Sequence, residues 1–143
     1  MNTVYVLDAK LYAGMLEQCR QAAPAEACGL LGGPGHYRAT RLIPLVNLDA
    51  SAESYRMDPG EVLCTMQLLD REGLELNAVY HSHPATEAYP SAVDISQAYL
   101  PVLYLILSLC GDEPVLRGFW IEGSSVSEIP VRVAHESGED NAE

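Results

Sequence analysis

LELNAVYHSHPATEAYPSAVD, residues 74–94, runs from an apolar strand into a proline-bounded loop and then into a helix. Leu74–Ser82 reads as the strand, Pro84–Pro90 as the loop, and Ser91 as the start of a short helix. Side chains alternate faces along a strand, so His81 and His83 present two imidazoles to one side at its end. Asp94 lies in the first helical turn, where it can swing back toward them. Two neutral nitrogens and one carboxylate suit zinc and leave a fourth tetrahedral position open, the mark of a catalytic site. Each part has a plainer reading when taken alone. An HxH pair at a strand end also occurs as hydrogen-bonded histidines, and Ser91-x-x-Asp94 after a proline also reads as a helix N-cap. The joint occurrence favours the metal.

Working outward, Thr3–Leu7 reads as a strand, and Asp8 as the N-cap of a helix reaching Ala22, with Leu11, Met15, Leu16 and Cys19 at helical spacing. Glu26–Leu31 reads as a second strand closed by a turn at Gly32-Gly33-Pro34-Gly35, with His36–Asn47 returning beside it. Asp58-Pro59 starts a helix striped by Val62, Leu63, Met66 and Leu69 and closed by Gly73. Met15 and Met66 both read as core. Val102–Leu109, Val115–Glu122 and Ser125–Val133 read as strands of a closing meander. The sum is one α/β domain over residues 1–134, a mixed β-sheet flanked by helices, followed by an acidic, disordered tail at residues 135–143.

Composition sets the outer limits. The 143 residues can bury a real core without staples, and 48% of them are hydrophobic against 20% charged. A formal net charge of -12 with eight basic residues argues against nucleic acid, whose phosphates call for clustered Lys and Arg. The apolar run Val102–Leu107 is too short to cross a bilayer, and the start of the chain shows no signal-peptide pattern, so a cytoplasmic protein with no membrane partner is expected. Cys19, Cys28, Cys64 and Cys110 form no CxxC pair and read as reduced thiols.

A hydrolytic metal site needs a base for the water's proton and a donor for the developing oxyanion. Glu26 is the candidate for the first role and the Ser91 hydroxyl for the second. Cys28 shares Glu26's face of its strand and reads as a buried, inert residue rather than a soft ligand. His36 and His135 read as surface histidines, and Tyr55, Tyr89 and Trp120 as packing aromatics. Neither the H-x-E and P-C-x-x-C pair of a nucleoside deaminase nor the length of an amidohydrolase barrel is present.

Glu26, then His81-Ser82-His83, seven residues, Ser91, two residues and Asp94, resembles the signature of the JAMM (MPN+) zinc metalloproteases. The flanking Pro24–Gly32 and Tyr80–Pro84 segments are similar to those of small prokaryotic members, as is the order of elements over residues 3 to 133. The resemblance implies a cytidine-deaminase-like core and hydrolysis of peptide or isopeptide bonds at the C-terminus of ubiquitin-like proteins. It implies one zinc per chain on His81, His83 and Asp94, with Glu26 as general acid/base and Ser91 stabilising the transition state. The loops at Asn47–Asp58 and His83–Ser91 are short, so the expected partner is a small ubiquitin-like sulfur carrier cleaved after Gly-Gly. Release of such a modifier from protein lysines and a non-catalytic interaction module are the alternatives.

Overall fold

A computed structural model describes residues 3–135. The element order is β1 (Tyr5–Asp8), α1 (Ala9–Ala22), β2 (Cys28–Gly33), β3 (Arg38–Ala39), β4 (Arg41–Leu45), α2 (Pro59–Arg71), β5 (Glu75–His83), α3 (Ala92–Ser96), β6 (Leu103–Ser108), β7 (Val115–Glu122), β8 (Ser125–Ile129) and β9 (Val131–Ala134). Six strands form a mixed sheet in the order β4-β2-β5-β6-β7-β8, with β5 and β6 parallel and the other neighbours antiparallel. A three-stranded parallel sheet, β3-β1-β9, stands beside it. The expected single α/β domain with a mixed, helix-flanked sheet is therefore what the chain adopts.

The centre of the large sheet is buried on both faces, which explains the near-continuous apolar runs of β5 and β6. Ala78, Tyr80, Leu103, Leu105 and Leu107 face a core shared with Met15 and Cys19 of α1. Val79, Tyr104 and Ile106 face the opposite core, with Val62 of α2. Counting on by two from Val79 puts His81 and His83 on this second face. The pairing of β2 with β5 skips Asn77, whose side chain is met by the Tyr5 hydroxyl and donates to the carbonyls of Gly35 and Arg38. Gly33 packs so closely on the Arg38 carbonyl that no side chain fits there. Gly73, at φ 75°, turns the chain from α2 into β5.

Several expected details come out differently. Gly32 and Gly33 are strand residues, and the turn lies beyond them at Pro34–Tyr37. The return segment splits, β3 pairing with β1 and β4 with β2. Ser125–Val133 breaks at Pro130, which lacks the N–H that would continue the ladder, and β9 crosses to the small sheet. Asp8 occupies the N-cap of α1, yet its carboxylate accepts from Arg38 at 2.7 Å instead of capping. Met66 and Leu63 are exposed at 42% and 56%, because α2 turns Val62, Thr65 and Leu69 inward. Met15 is buried as expected. Of the acidic tail, only His135 lies within the described residues.

Candidate metal centre

Strand register sets the site. Cys28 pairs with His81 across the antiparallel β2–β5 ladder. Beyond it the Ala27 amide donates to Ser82 Oγ at 2.8 Å, and the Ser82 amide donates to the Ala27 carbonyl at 3.0 Å. One residue further, Glu26 lies opposite His83, and directly opposed residues of an antiparallel pair share a face. Glu26 thus precedes β2 rather than opening it, but the pairing aims it at the histidines.

The third side chain arrives on α3. Ser91 and Asp94 form a reciprocal cap: the Asp94 amide donates to Ser91 Oγ at 3.1 Å, and the Ser91 amide donates to Asp94 Oδ2 at 2.9 Å. The same Oδ2 lies 3.2 Å from His81 Nε2 and 3.0 Å from His83 Nε2, and the two nitrogens are 3.2 Å apart. His81, His83 and Asp94 are all buried and form a group that could hold a metal ion, their donor atoms within 4.8 Å of one another. Four ligands at zinc's usual 2.0–2.1 Å would be separated by about 3.3 Å, close to the edges of this triangle. His83 Nδ1 is 2.7 Å from the Glu87 carbonyl, which can only accept, so Nδ1 carries a proton and Nε2 is free to offer its lone pair. His83 Nε2 and Asp94 Oδ2, 3.0 Å apart, can share a proton in the metal-free protein, and a bound cation would take that proton's place. The donor set fits zinc.

The electrostatics of the metal-free protein agree. Burial pushes the Asp94 carboxyl up, but hydrogen bonds from His81 and His83 outweigh it and hold the group far below the usual carboxylate range. For His81 burial wins, holding the imidazole below its ordinary pKa against the pull of Asp94. For His83 burial acts downward too, but the hydrogen bonds to Asp94 and the Glu87 carbonyl raise it overall. Glu26 is only 4% exposed, and its Oε1 is buried without a hydrogen-bond partner. Burial pushes its carboxyl up to about 8, the charge of His83 opposing and those of Asp94 and Glu53 assisting.

Ser91 is exposed beside the group. Its oxygen accepts in the cap, which leaves its hydrogen free to donate. Cys28 lies on the metal face but outside the group, its Sγ 3.7 Å from the Leu45 carbonyl. Burial pushes its thiol up to about 12, which keeps it protonated and a poor ligand. His36 is exposed, 3.6 Å from Glu75, and His135 is exposed as well. Tyr89 packs edge-on to Phe119, and Trp120 packs against the α1-side core. Tyr55 packs against the α2-side core as expected, and its ring stacks on His81 with centroids 4.4 Å apart at 23°. It also walls a cavity of about 430 Å³ with Met57, Val79, Tyr99, Leu100 and Tyr104. Nothing in the sequence marks that stacking partner, since 26 residues and a whole helix separate it from His81.

A sheet that brings two imidazoles and a carboxylate to one buried point, with an unpaired glutamate alongside, is the frame of a metal-assisted hydrolase. The chain belongs to the prokaryotic homologues of the JAB domain, whose family model matches residues 8–122. This is the family that the JAMM resemblance names. The CysO-cysteine peptidase of Mycobacterium tuberculosis is 39% identical over 94% of this chain and 96% of its own length. A Thermus thermophilus protein named "Probable TtuB-protein conjugate cleaving protease" is 39% identical over 81% of this chain and 78% of its own. A solution structure from Desulfitobacterium hafniense superposes with a TM-score of 0.85 at 40% identity, covering 94% of both chains. With such relatives over most of its length, the chain is a JAB-type hydrolase. Among the described residues no helix is long and apolar enough to cross a membrane.

Proposed function

We propose that this protein is a zinc-dependent peptidase that cleaves directly after the C-terminal Gly-Gly of a ubiquitin-like sulfur-carrier protein. One zinc per chain is held by His81, His83 and Asp94. The observation that carries the reading is the triangle of buried donors set against the unpaired carboxyl of Glu26. A buried carboxyl oxygen without a partner costs stability, and it supports a reacting site over an interaction module.

When bound, zinc supplies Lewis acidity, polarising the scissile carbonyl and acidifying a water molecule. The protein's own groups do the rest. Glu26, whose ionised form a bound cation would favour, takes the water's proton and returns it to the leaving amine. The Ser91 hydroxyl donates its free hydrogen to the oxyanion while its oxygen stays in the helix cap. The Glu87 carbonyl keeps the proton of His83 on Nδ1. The substrate tail enters as an extended strand between the 47–58 and 83–91 loops, where a β-carbon would crowd the site.

Support for the substrate class comes from the names of the relatives, "CysO-cysteine peptidase" and "Probable TtuB-protein conjugate cleaving protease". The second name favours an alternative leaving group, a protein lysine. The test is a ubiquitin-like carrier with one residue appended after Gly-Gly, beside the same carrier ending in Ala-Ala and a lysine-linked conjugate. Cleavage directly after Gly-Gly is expected whatever the leaving amine, and only with metal. Equal cleavage of the Ala-Ala form would defeat the narrow channel. Cleavage of the lysine-linked conjugate alone would move the assignment to the second reading.

A further inference from the structure

The two histidines of the metal group are held in different ways. A metal-ligating histidine ordinarily donates its second ring N–H to a carbonyl, carboxylate or water, which fixes both tautomer and ring angle. His83 obeys, through the Glu87 carbonyl at 2.7 Å. His81 does not: its Nδ1 is buried and has no hydrogen-bond partner. What lies against the His81 ring instead is the Tyr55 ring, nearly parallel at 4.4 Å.

Tyr55 is held in turn by the loop that carries it. Asn47 Nδ2 donates to the carbonyls of Glu26 and Ser54, both at 3.0 Å. Its Oδ1 accepts from the amides of Asp49 and Arg56, again at 3.0 Å. An asparagine side chain has two donors and two acceptor lone pairs, and here all four are used. The Leu48 amide also donates to the Arg56 carbonyl at 2.8 Å, and the Glu26 amide to the Ser51 carbonyl at 2.8 Å. One side chain thus ties the segment carrying Tyr55 to the backbone of Glu26.

We propose that Tyr55 is a positioning residue that fixes the His81 ring for metal binding by stacking, in place of the missing hydrogen bond, and that Asn47 braces the loop delivering it. The proposal rests on the metal reading above and adds to it the means by which one ligand is oriented. Stacking resists tilting of the imidazole but leaves it free to slide in its own plane. His81 is therefore the adjustable ligand and His83 the fixed one.

The test measures zinc affinity by competition with a chromophoric chelator for the wild type, Tyr55→Phe and Tyr55→Leu, with the thermal midpoint of each metal-free protein recorded alongside. Tyr55→Phe keeps the ring and is expected to bind within about threefold of the wild type. Tyr55→Leu is expected to bind roughly 10- to 100-fold more weakly, the usual effect of removing an outer-shell partner. The d–d spectrum of its cobalt-loaded form should change as His81 tilts, which a mere loss of stability would not produce. Asn47→Ala should weaken zinc in the same direction by a smaller factor. If Tyr55→Leu does not fold, Tyr55→Met, of similar length without the ring, carries the same expectation. A Tyr55→Leu or Tyr55→Met protein with wild-type affinity and an unchanged cobalt spectrum would overturn this proposal alone. A wild type that binds no zinc would overturn the metal reading and this proposal with it.

Discussion

The site has two halves, built on different principles. One half is the segment from His81 to Asp94, where a strand end, a proline-bounded loop and a capped helix supply three donor atoms within 14 residues. Its contacts are local: Asp94 with Ser91, and His83 with Glu87. The other half is Glu26 with the loop from Asn47 to Arg56, which meets the first only because β2 lies antiparallel against β5. Each half leaves one buried polar atom without a hydrogen-bond partner, His81 Nδ1 in the first and Glu26 Oε1 in the second. The first half is drawn together by contacts close in sequence, the second by strand pairing and by the hydrogen bonds of Asn47.

Substitutions can break the comparison from either side. The largest expected effect is on turnover in Glu26→Gln, which keeps the shape but cannot accept a proton. A loss of roughly 10²–10⁴ in kcat with unchanged zinc content is expected, the range for a positioned general base. Wild-type turnover in that variant would move the base elsewhere. Ser91→Ala tests the join between structure and chemistry, because one hydroxyl both caps α3 and faces the open site. A rate loss of roughly 10²–10³ is expected from its oxyanion role, with about 1 kcal/mol lost from the cap in denaturant unfolding. Loss of stability without loss of rate per folded molecule would leave only the cap.

The smallest effect sharpens the contrast through pH. In the metal-free protein Glu26 has its pKa raised from 4.5 to about 8 by burial. A carboxyl whose folded pKa lies above its unfolded one favours the fold while protonated. That contribution is fully present below about 4.5 and is lost as pH rises toward 8. Unfolding midpoints of the metal-free wild type should therefore fall over this interval relative to Glu26→Gln, which cannot ionise. Parallel pH curves for the two proteins would remove the buried acid from the account.

The same division explains what the sequence could tell. The meeting of His81, His83 and Asp94 and the Ser91 cap are legible because strand alternation and helix capping act over two to four residues, and both periods are visible in the chain. Asp58-Pro59 is legible for the same reason, its carboxylate accepting from the Glu61 amide as a cap should. The stacking of Tyr55 on His81 and the fourfold bonding of Asn47 are not, since both depend on where β4 and the following loop fall in space. Met66 misleads because helical spacing alone does not say how wide the buried stripe is, and on α2 it is too narrow to include that residue. The break at Pro130 was visible as a residue, but only the crossing of β9 to the small sheet shows its consequence.

The most direct test of the whole account is elemental analysis of the purified protein beside His81→Ala and Asp94→Ala, each shown to be folded. About one zinc per wild-type chain is predicted, as for a single three-ligand site with an open fourth position. Both variants should have lost the metal, and with it cleavage of the Gly-Gly substrate. Full retention of zinc in folded His81→Ala would contradict the assignment of the metal centre.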